Sequence, residues 1–162
     1  MIERIFELAN KLGELASKKN IQISIAESCT GGMLASYITS ASGSSNYFDR
    51  GYITYSNRSK IEELDIDEQL LEKFGAVSPE TAKAMAAGCL SQSKCDIALS
   101  ITGIAGPTGG SHKKPVGTIY ISIATHYYIA SHTFKFTGNR EQIRTQTCLE
   151  SLNLLIGLLQ DS

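Results

Sequence analysis

The segment Ala26-Glu27-Ser28-Cys29-Thr30-Gly31-Gly32 constrains the fold of this chain more than any other. It follows the alternating apolar run 21–25 and precedes an apolar, helix-compatible segment over 33–41. This order predicts a strand, a tight turn and the start of a helix. Two glycines remove side-chain bulk there, so we expect the unpaired amides of the first helical turn to face an anion or a developing oxyanion. The turn thus combines a hydroxyl, a thiol and main-chain donors, although Ser28 and Thr30 could serve only as helix caps.

Composition narrows the class of protein. The 162 residues are 42% hydrophobic and contain no linker-like tract, which predicts one domain over residues 1–162. Fifteen basic and sixteen acidic residues leave a net charge of -1 without a block of like charge, so we expect no nucleic-acid partner. No apolar run approaches the roughly 18 residues of a membrane span, so we expect a cytoplasmic protein without membrane association. The four cysteines and three histidines lack ligand spacing, so neither a metal nor a disulfide is expected.

Hydrophobic periodicity predicts alternating helices and strands. Helices are predicted from Ile2 to the stop at 18–20, over 33–41, briefly after Tyr55, over 79–93 and from Asn139 onward. Strands are predicted over 21–25, 51–55 and 97–101, followed by an antiparallel hairpin of 116–124 and 129–136. Interleaved elements without repeats predict a three-layer α/β/α sandwich around a mixed, mostly parallel sheet.

The short helix after Tyr55 carries its charges against the helix dipole. Arg58 and Lys60 lie in its first turn and its acidic residues lie toward its end. With Asn57 as the cap, Lys60 takes the position where a capping box has glutamate, and such departures occur at functional sites. A partly desolvated lysine has a lowered pKa and could take a proton from Ser28 if the two preceding strands are parallel neighbours. The alternatives are a solvated surface lysine and, for Tyr55, an ordinary strand aromatic.

Two further segments have the composition of binding loops. The glycine-rich run 102–111 follows a strand and lacks the motifs of ATP and dinucleotide sites, so it indicates close approach of main chain to a small ligand. Asn139 precedes a helix that carries Arg140 and Arg144 one turn apart. This arrangement at a helix start predicts a phosphate-binding site. Ordinary surface arginines, one of them paired with Glu141, are the alternative.

Taken together and in order, these motifs resemble the nicotinamide-nucleotide amidase family, whose domain also forms the C-terminal part of the competence-damage protein CinA. The motifs are 26–32, 51–57 with Lys60, 75–78, 102–107 and 114–118, so the resemblance extends over nearly the whole chain. Thr102 stands where relatives often have serine, and Asn139 where aspartate is common. The N-terminal domain of CinA has no counterpart among these motifs, so we expect a stand-alone form.

The resemblance implies hydrolysis of the carboxamide of nicotinamide mononucleotide to nicotinate mononucleotide and ammonia, in pyridine-nucleotide salvage, by a serine–lysine hydrolase without metal or cofactor. By motif position, the nucleophile is Ser28, the general base is Lys60 and the supporting tyrosine is Tyr55. The residues that we predict to bind the substrate are Thr30, Gly31, Gly32, Thr102, Gly103, Gly106, Arg140 and Arg144.

The sequence also allows two alternative functions and predicts an oligomeric state. Cys29 could be the nucleophile with a histidine as base, although only His112 lies in a neighbouring motif. The domain could instead be a non-catalytic nucleotide sensor, although a sensor does not need a base beside a hydroxyl. The apolar run from Leu152 to Leu159 suggests a homodimer.

Overall fold

The computed structural model describes all 162 residues. Its helices are α1 (Ile2–Lys19), α2 (Met33–Thr39), α3 (Asn57–Leu64), α4 (Glu68–Phe74), α5 (Pro79–Ser93) and α6 (Arg140–Asp161). Its strands are β1 (Ile23–Glu27), β2 (Phe48–Ile53), β3 (Ile97–Gly103), β4 (Thr118–Thr125) and β5 (Ile129–Lys135). A short 3-10 turn over Ser44–Asn46 joins α2 to β2.

The five strands form one sheet in the order β2-β1-β3-β4-β5. Strand β1 pairs in parallel with both β2 and β3, whereas β4 is antiparallel to β3 and to β5. Four strands therefore run in one direction and β4 alone is reversed, which confirms the mixed, mostly parallel sheet. Glu27, the last residue of β1, pairs with Ile53 on one side and Ile101 on the other. The loops that follow β1, β2 and β3 consequently open at the same edge of the sheet.

Helices cover both faces of the sheet, so the predicted three-layer sandwich is confirmed. A core of 23 buried residues lies between the sheet and the layer of α1, α2 and α6. A smaller core of seven residues lies under α3, α4 and α5. The division follows the strand period, since Ile23 and Ile25 of β1 face the larger core and Ala26 faces the smaller one. Small residues let α5 approach the sheet closely, and Ser100 Oγ donates to the carbonyl of Ala82 at 2.6 Å.

The start of α3 differs from the prediction. The cap is Ser56 rather than Asn57, and Ser56 and Ser59 form a reciprocal capping box. Lys60 is therefore one position beyond the place where a box glutamate would lie, and the argument from that position is wrong. The reversed charge of Arg58 is real, but it is solvated and lies 3.4 Å from Glu62. The helix start is satisfied by its two serines, so Lys60 is free to serve another contact.

Two further differences concern the helical layers. The sequence analysis did not predict α4, which begins at an Asp67 cap whose side chain accepts from the amide of Gln69. The apolar run of α6 packs mainly against the rest of the same chain, because Leu152, Leu155 and Leu159 are buried in the larger core. None of the helices combines the length and the apolar character that a membrane crossing requires.

Candidate active site

A cavity of about 310 Å³ lies at the edge of the sheet where β1, β2 and β3 end. Its walls come from the loops after these strands, the segment between α4 and α5, and the start of α6. Lys60 and Arg140 are the two basic residues of its lining, Arg140 is the exposed one, and no carboxylate lines it. The cavity is therefore suited to an anionic small molecule.

Ser28 and Lys60 meet at the floor of this cavity. Lys60 Nζ lies 3.1 Å from Ser28 Oγ and donates to the main-chain carbonyl of Thr54 at 2.7 Å. Ser28 directly follows β1, and Lys60 reaches it from α3 because β1 and β2 are parallel neighbours. The carbonyl of Thr54 fixes the amine, so the lysine is aimed at the hydroxyl rather than at solvent.

The environment of Lys60 disfavours the charged ammonium form. Its side chain is only 1% exposed, and it forms no ion pair, since the three salt bridges of the protein join other residues. Burial lowers the pKa of Lys60 below its ordinary value. A neutral amine at hydrogen-bonding distance from a serine hydroxyl can accept its proton.

The main-chain amides of the Ser28 turn are only partly free. Gly31 donates to the carbonyl of Ser28, and the amides of Leu34 and Ala35 in the first turn of α2 donate to the two carboxylate oxygens of Glu27. The expectation that the first-turn amides of this helix are unpaired is therefore wrong for these two. The amides of Cys29, Thr30 and Gly32 donate to no main-chain carbonyl. Of these residues only Cys29 lines the cavity.

Arg144 contacts the outer side of the same turn. Its Nε donates to the carbonyl of Cys29 at 3.1 Å, and its Nη2 donates to the carbonyl of Thr30 at 2.9 Å. The guanidinium is half-buried and does not line the cavity. The structure thus places Arg144 where it supports the turn.

Arg140 and Tyr55 form the rim of the cavity. Arg140 Nη2 donates to the Tyr55 hydroxyl at 3.0 Å, and Nη1 donates to the carbonyl of Gly106 at 2.7 Å. Both side chains line the cavity, yet Tyr55 is 61% exposed. These contacts join the start of α6 to the loops after β2 and β3, in contact with solvent.

The glycine-rich loop after β3 forms one wall. Thr102 is buried and donates through Oγ1 to the carbonyl of Ala76 at 2.6 Å. A Cβ at Gly103 would lie 2.7 Å from the carbonyl oxygen of Thr118, so only glycine fits there. Lys114 folds back over the loop and donates to the carbonyl of Val77. The loop is therefore tied to the segment between α4 and α5.

The predicted site residues fall into two groups. Seven line the cavity, namely Ser28, Tyr55, Lys60, Thr102, Gly103, Gly106 and Arg140. Four lie outside its lining, namely Thr30, Gly31, Gly32 and Arg144. The second group builds or braces the turn that presents Ser28. In the whole chain, no three His, Cys, Asp or Glu side chains gather in a metal-binding arrangement.

The geometry does not favour Cys29 as the nucleophile. Burial raises the pKa of Cys29 to about 12, which keeps the sulfur a thiol at neutral pH. No histidine lines the cavity, and His112 is exposed on the glycine-rich loop. The thiol therefore lacks a base, whereas Ser28 has one.

Sequence reasoning missed Glu27. This carboxylate is 1% exposed and bonds the amides of Leu34 and Ala35 at 2.9 and 3.0 Å. One signal was available, because the residue before α2 is Gly32, which has no side chain to cap the helix. A helix start without its own cap requires an acceptor from elsewhere, and Glu27 is the nearest carboxylate in the chain.

Comparison with known proteins agrees with this architecture. A family model described as CinA C-terminal domain matches residues 5–159. A CinA-like protein of Geotalea daltonii is 51% identical over 141 residues, and a competence-damage inducible protein of Caldicellulosiruptor saccharolyticus is 50% identical over 142. These matches cover 87% and 88% of this chain but 34% of each relative. The chain thus spans about a third of the length of these curated relatives.

Solved structures share the fold over nearly their full length. The competence/damage inducible protein CihA from Agrobacterium tumefaciens superposes with a TM-score of 0.93 at 39% identity, covering 96% of this chain and 95% of that one. A CinA superfamily protein from Klebsiella pneumoniae gives a TM-score of 0.94 at 28% identity, covering 98% and 99%. By its sequence match and by its fold, this chain belongs to the CinA C-terminal domain family.

Proposed function

We propose that this protein is an amidase that hydrolyses the carboxamide of nicotinamide mononucleotide to nicotinate mononucleotide and ammonia. The observation that carries the proposal is the 3.1 Å separation of Lys60 Nζ and Ser28 Oγ on the floor of a cavity. The resemblance of the ordered motifs to nicotinamide-nucleotide amidases supplies the substrate.

In the first half of the reaction, Ser28 Oγ attacks the carboxamide carbon while the neutral amine of Lys60 accepts the hydroxyl proton. The carbonyl of Thr54 holds the ammonium that results, because it already accepts from Lys60 at 2.7 Å. The C–N bond then breaks, and Lys60 returns the proton to the leaving ammonia. The product of this half is an acyl ester on Ser28.

The oxyanion of the tetrahedral intermediate needs main-chain donors. The amide of Cys29 donates to no main-chain carbonyl and belongs to a residue that lines the cavity, so it is the proposed donor. The amide of Gly31 is not available, because it already donates to the carbonyl of Ser28.

In the second half, water adds to the acyl ester. Lys60 takes a proton from the attacking water and returns it to Ser28 Oγ as the ester bond breaks. Nicotinate mononucleotide is released and the enzyme regains its starting state.

Charge supports a phosphate-bearing substrate. Among the lining residues Arg140 is the solvent-exposed cation, and no carboxylate opposes it. Its guanidinium uses two of its nitrogens on Tyr55 and Gly106, and it retains N–H groups for a phosphate. Arg140 is therefore the proposed phosphate ligand, and Arg144 acts through the turn.

The test is ammonia release from nicotinamide, its riboside, its mononucleotide and the dinucleotide. We expect turnover of the mononucleotide, loss of turnover in Ser28→Ala, and normal turnover in Ser45→Ala, which removes an exposed hydroxyl. Tight binding of the mononucleotide in a calorimetric titration, with no ammonia formed, would overturn the amidase and favour the nucleotide sensor.

A further inference from the structure

Glu27 is the buried carboxylate nearest the proposed nucleophile in sequence, and the mechanism above does not use it. It ends β1, directly precedes Ser28 and is 1% exposed. A charged group buried this deeply is costly unless its oxygens are satisfied. Both oxygens accept main-chain amides, Oε1 from Leu34 and Oε2 from Ala35.

These two hydrogen bonds replace those that a capping side chain at the start of α2 would make. Leu34 and Ala35 are the second and third residues of α2, the positions that the side chain of a cap residue normally satisfies. The cap position is held by Gly32, which has a φ of 100° and no side chain. Glu27 supplies the missing acceptor from the far end of the turn.

The turn of residues 28–32 is thereby closed into a ring. Its first residue is joined covalently to Glu27, and its last leads into the two amides that the Glu27 side chain holds. Inside the ring, Gly31 donates to the carbonyl of Ser28 and Met33 donates to the carbonyl of Thr30, each at 3.0 Å. The carboxylate therefore fixes where the turn lies relative to the end of β1.

Arg144 contacts the carbonyl groups of the same turn. Arg144 binds the carbonyls of Cys29 and Thr30, at 3.1 and 2.9 Å. In a planar trans peptide the carbonyl and the following amide point in opposite directions. The amide of Thr30 consequently points away from the guanidinium.

We infer that Glu27 is a positioning residue, whose carboxylate sets the orientation of the Ser28 turn and of the Cys29 amide for the transition state. The inference rests on the proposed serine hydrolase function but not on the identity of its substrate. Glu27 acts through the turn, since it does not line the cavity.

The decisive variant is Glu27→Gln, which keeps the side-chain shape. Its amide oxygen can accept one of the two N–H groups, whereas its NH₂ group would face the other donor. We expect kcat to fall about 10- to 100-fold while KM stays within about three-fold, because misplacement of the turn costs transition-state stabilisation. Glu68→Gln, which changes an exposed carboxylate in the first turn of α4, is the matched control and keeps full activity.

The acidic limb of the pH profile separates this role from a general loosening of the fold. Burial is the main cause of the lowered pKa of Lys60. We therefore expect the pH at which activity falls on the acidic side to be the same in Glu27→Gln as in the wild type. A limb that moves together with a raised KM would overturn the inference in favour of a merely structural role.

Labelling of Ser28 by a fluorophosphonate tests the inference without a substrate. Ser28 Oγ attacks phosphorus, the P–F bond breaks, fluoride leaves and Lys60 takes the hydroxyl proton. We expect labelling of Glu27→Gln to be at least about ten-fold slower than that of the wild type, with the same final amplitude. Where Glu27→Gln does not fold, Glu27→Asp, which keeps the charge and loses the reach of one methylene, is expected to show the same slow labelling.

The outcomes separate the two proposals. If the wild type is labelled but hydrolyses no pyridine nucleotide, the proposed substrate is wrong. The role of Glu27 is then decided by the labelling rates of wild type and Glu27→Gln. Equal labelling and equal kcat in wild type and Glu27→Gln would overturn the role of Glu27 while the amidase stands. A wild type that resists the fluorophosphonate would overturn the role of Glu27 together with the activated serine.

Discussion

The floor and the rim of the cavity are built in opposite ways. The floor consists of Ser28, Lys60 and the carbonyl of Thr54, and the lysine is 1% exposed. The rim consists of Arg140 and Tyr55, and the tyrosine is 61% exposed. Both regions contain a basic side chain, but only that of the floor is buried, and it is buried without an ion pair.

The difference in burial between the two regions suits the floor to proton transfer and the rim to binding of the substrate. A buried amine without a counter-ion is pushed toward its neutral form, which is the form that accepts a proton. An exposed guanidinium keeps its charge and its hydration, so it can attract an anion but contributes modestly to stability. Substitutions at the floor should therefore abolish turnover, and substitutions at the rim should change substrate preference.

Replacement of Lys60 by methionine tests the floor most severely. We expect turnover to fall about 10⁴-fold or more, because the base is lost while the cavity keeps its shape. We also expect the free energy of unfolding at pH 7 to stay equal or to rise, because a lysine whose pKa is lowered in the folded state reduces stability at every pH below its ordinary value of 10.5. Ammonia release and denaturant unfolding measure the two effects.

Lys83→Met is the matched control, because Lys83 is an exposed residue of α5 that does not line the cavity. It should leave both quantities unchanged. Turnover by Lys60→Met within ten-fold of the wild type would refute the role of the amine as general base.

The pH dependence of the wild type sharpens the same point. We expect kcat/KM to fall about ten-fold for each pH unit below the pKa of Lys60, since only the neutral amine accepts the serine proton. The sign for stability follows from the direction of the shift. Between the lowered pKa and the ordinary lysine value of 10.5, the unfolded chain binds more protons, so the free energy of unfolding rises with pH.

Lys60→Met should lose this rise in stability while keeping the remainder of the pH profile. Unfolding measured across the pH range in both proteins provides the comparison. An identical slope in the two proteins would show that Lys60 is not the group that titrates.

Sequence patterns could predict the layers of this fold because each depends on local periodicity. The alternating run before Ser28 and the Ser78-Pro79 start of α5 both fix their elements through neighbouring residues. The pairing of Ser28 with Lys60 could be anticipated only on the assumption that β1 and β2 are parallel neighbours, which the sheet confirms.

The remaining features of the site depend on contacts that periodicity does not encode. Arg144 lies 115 residues from the carbonyl of Cys29 that it binds, and nothing local distinguishes it from a phosphate ligand. The cap of α3 was missed because Ser56 and Asn57 are both good cap residues and only the reciprocal bonds to Ser59 decide between them. Side-chain contacts across loops therefore set the limit of the prediction.

Replacement of Arg140 by methionine tests the rim, and its effect should be the smallest of those at the cavity. A hydrogen bond to a charged group contributes about 1.5–3 kcal/mol, so we expect kcat/KM for the mononucleotide to fall about 10- to 100-fold, mainly through KM. The riboside, which lacks the phosphate, should be affected less than about three-fold on the same argument. Arg58→Met removes an exposed arginine of α3 that pairs with Glu62 and serves as the control. Equal losses for mononucleotide and riboside would mean that Arg140 acts through its contacts with Tyr55 and Gly106 rather than through phosphate, and the division between floor and rim would then fail.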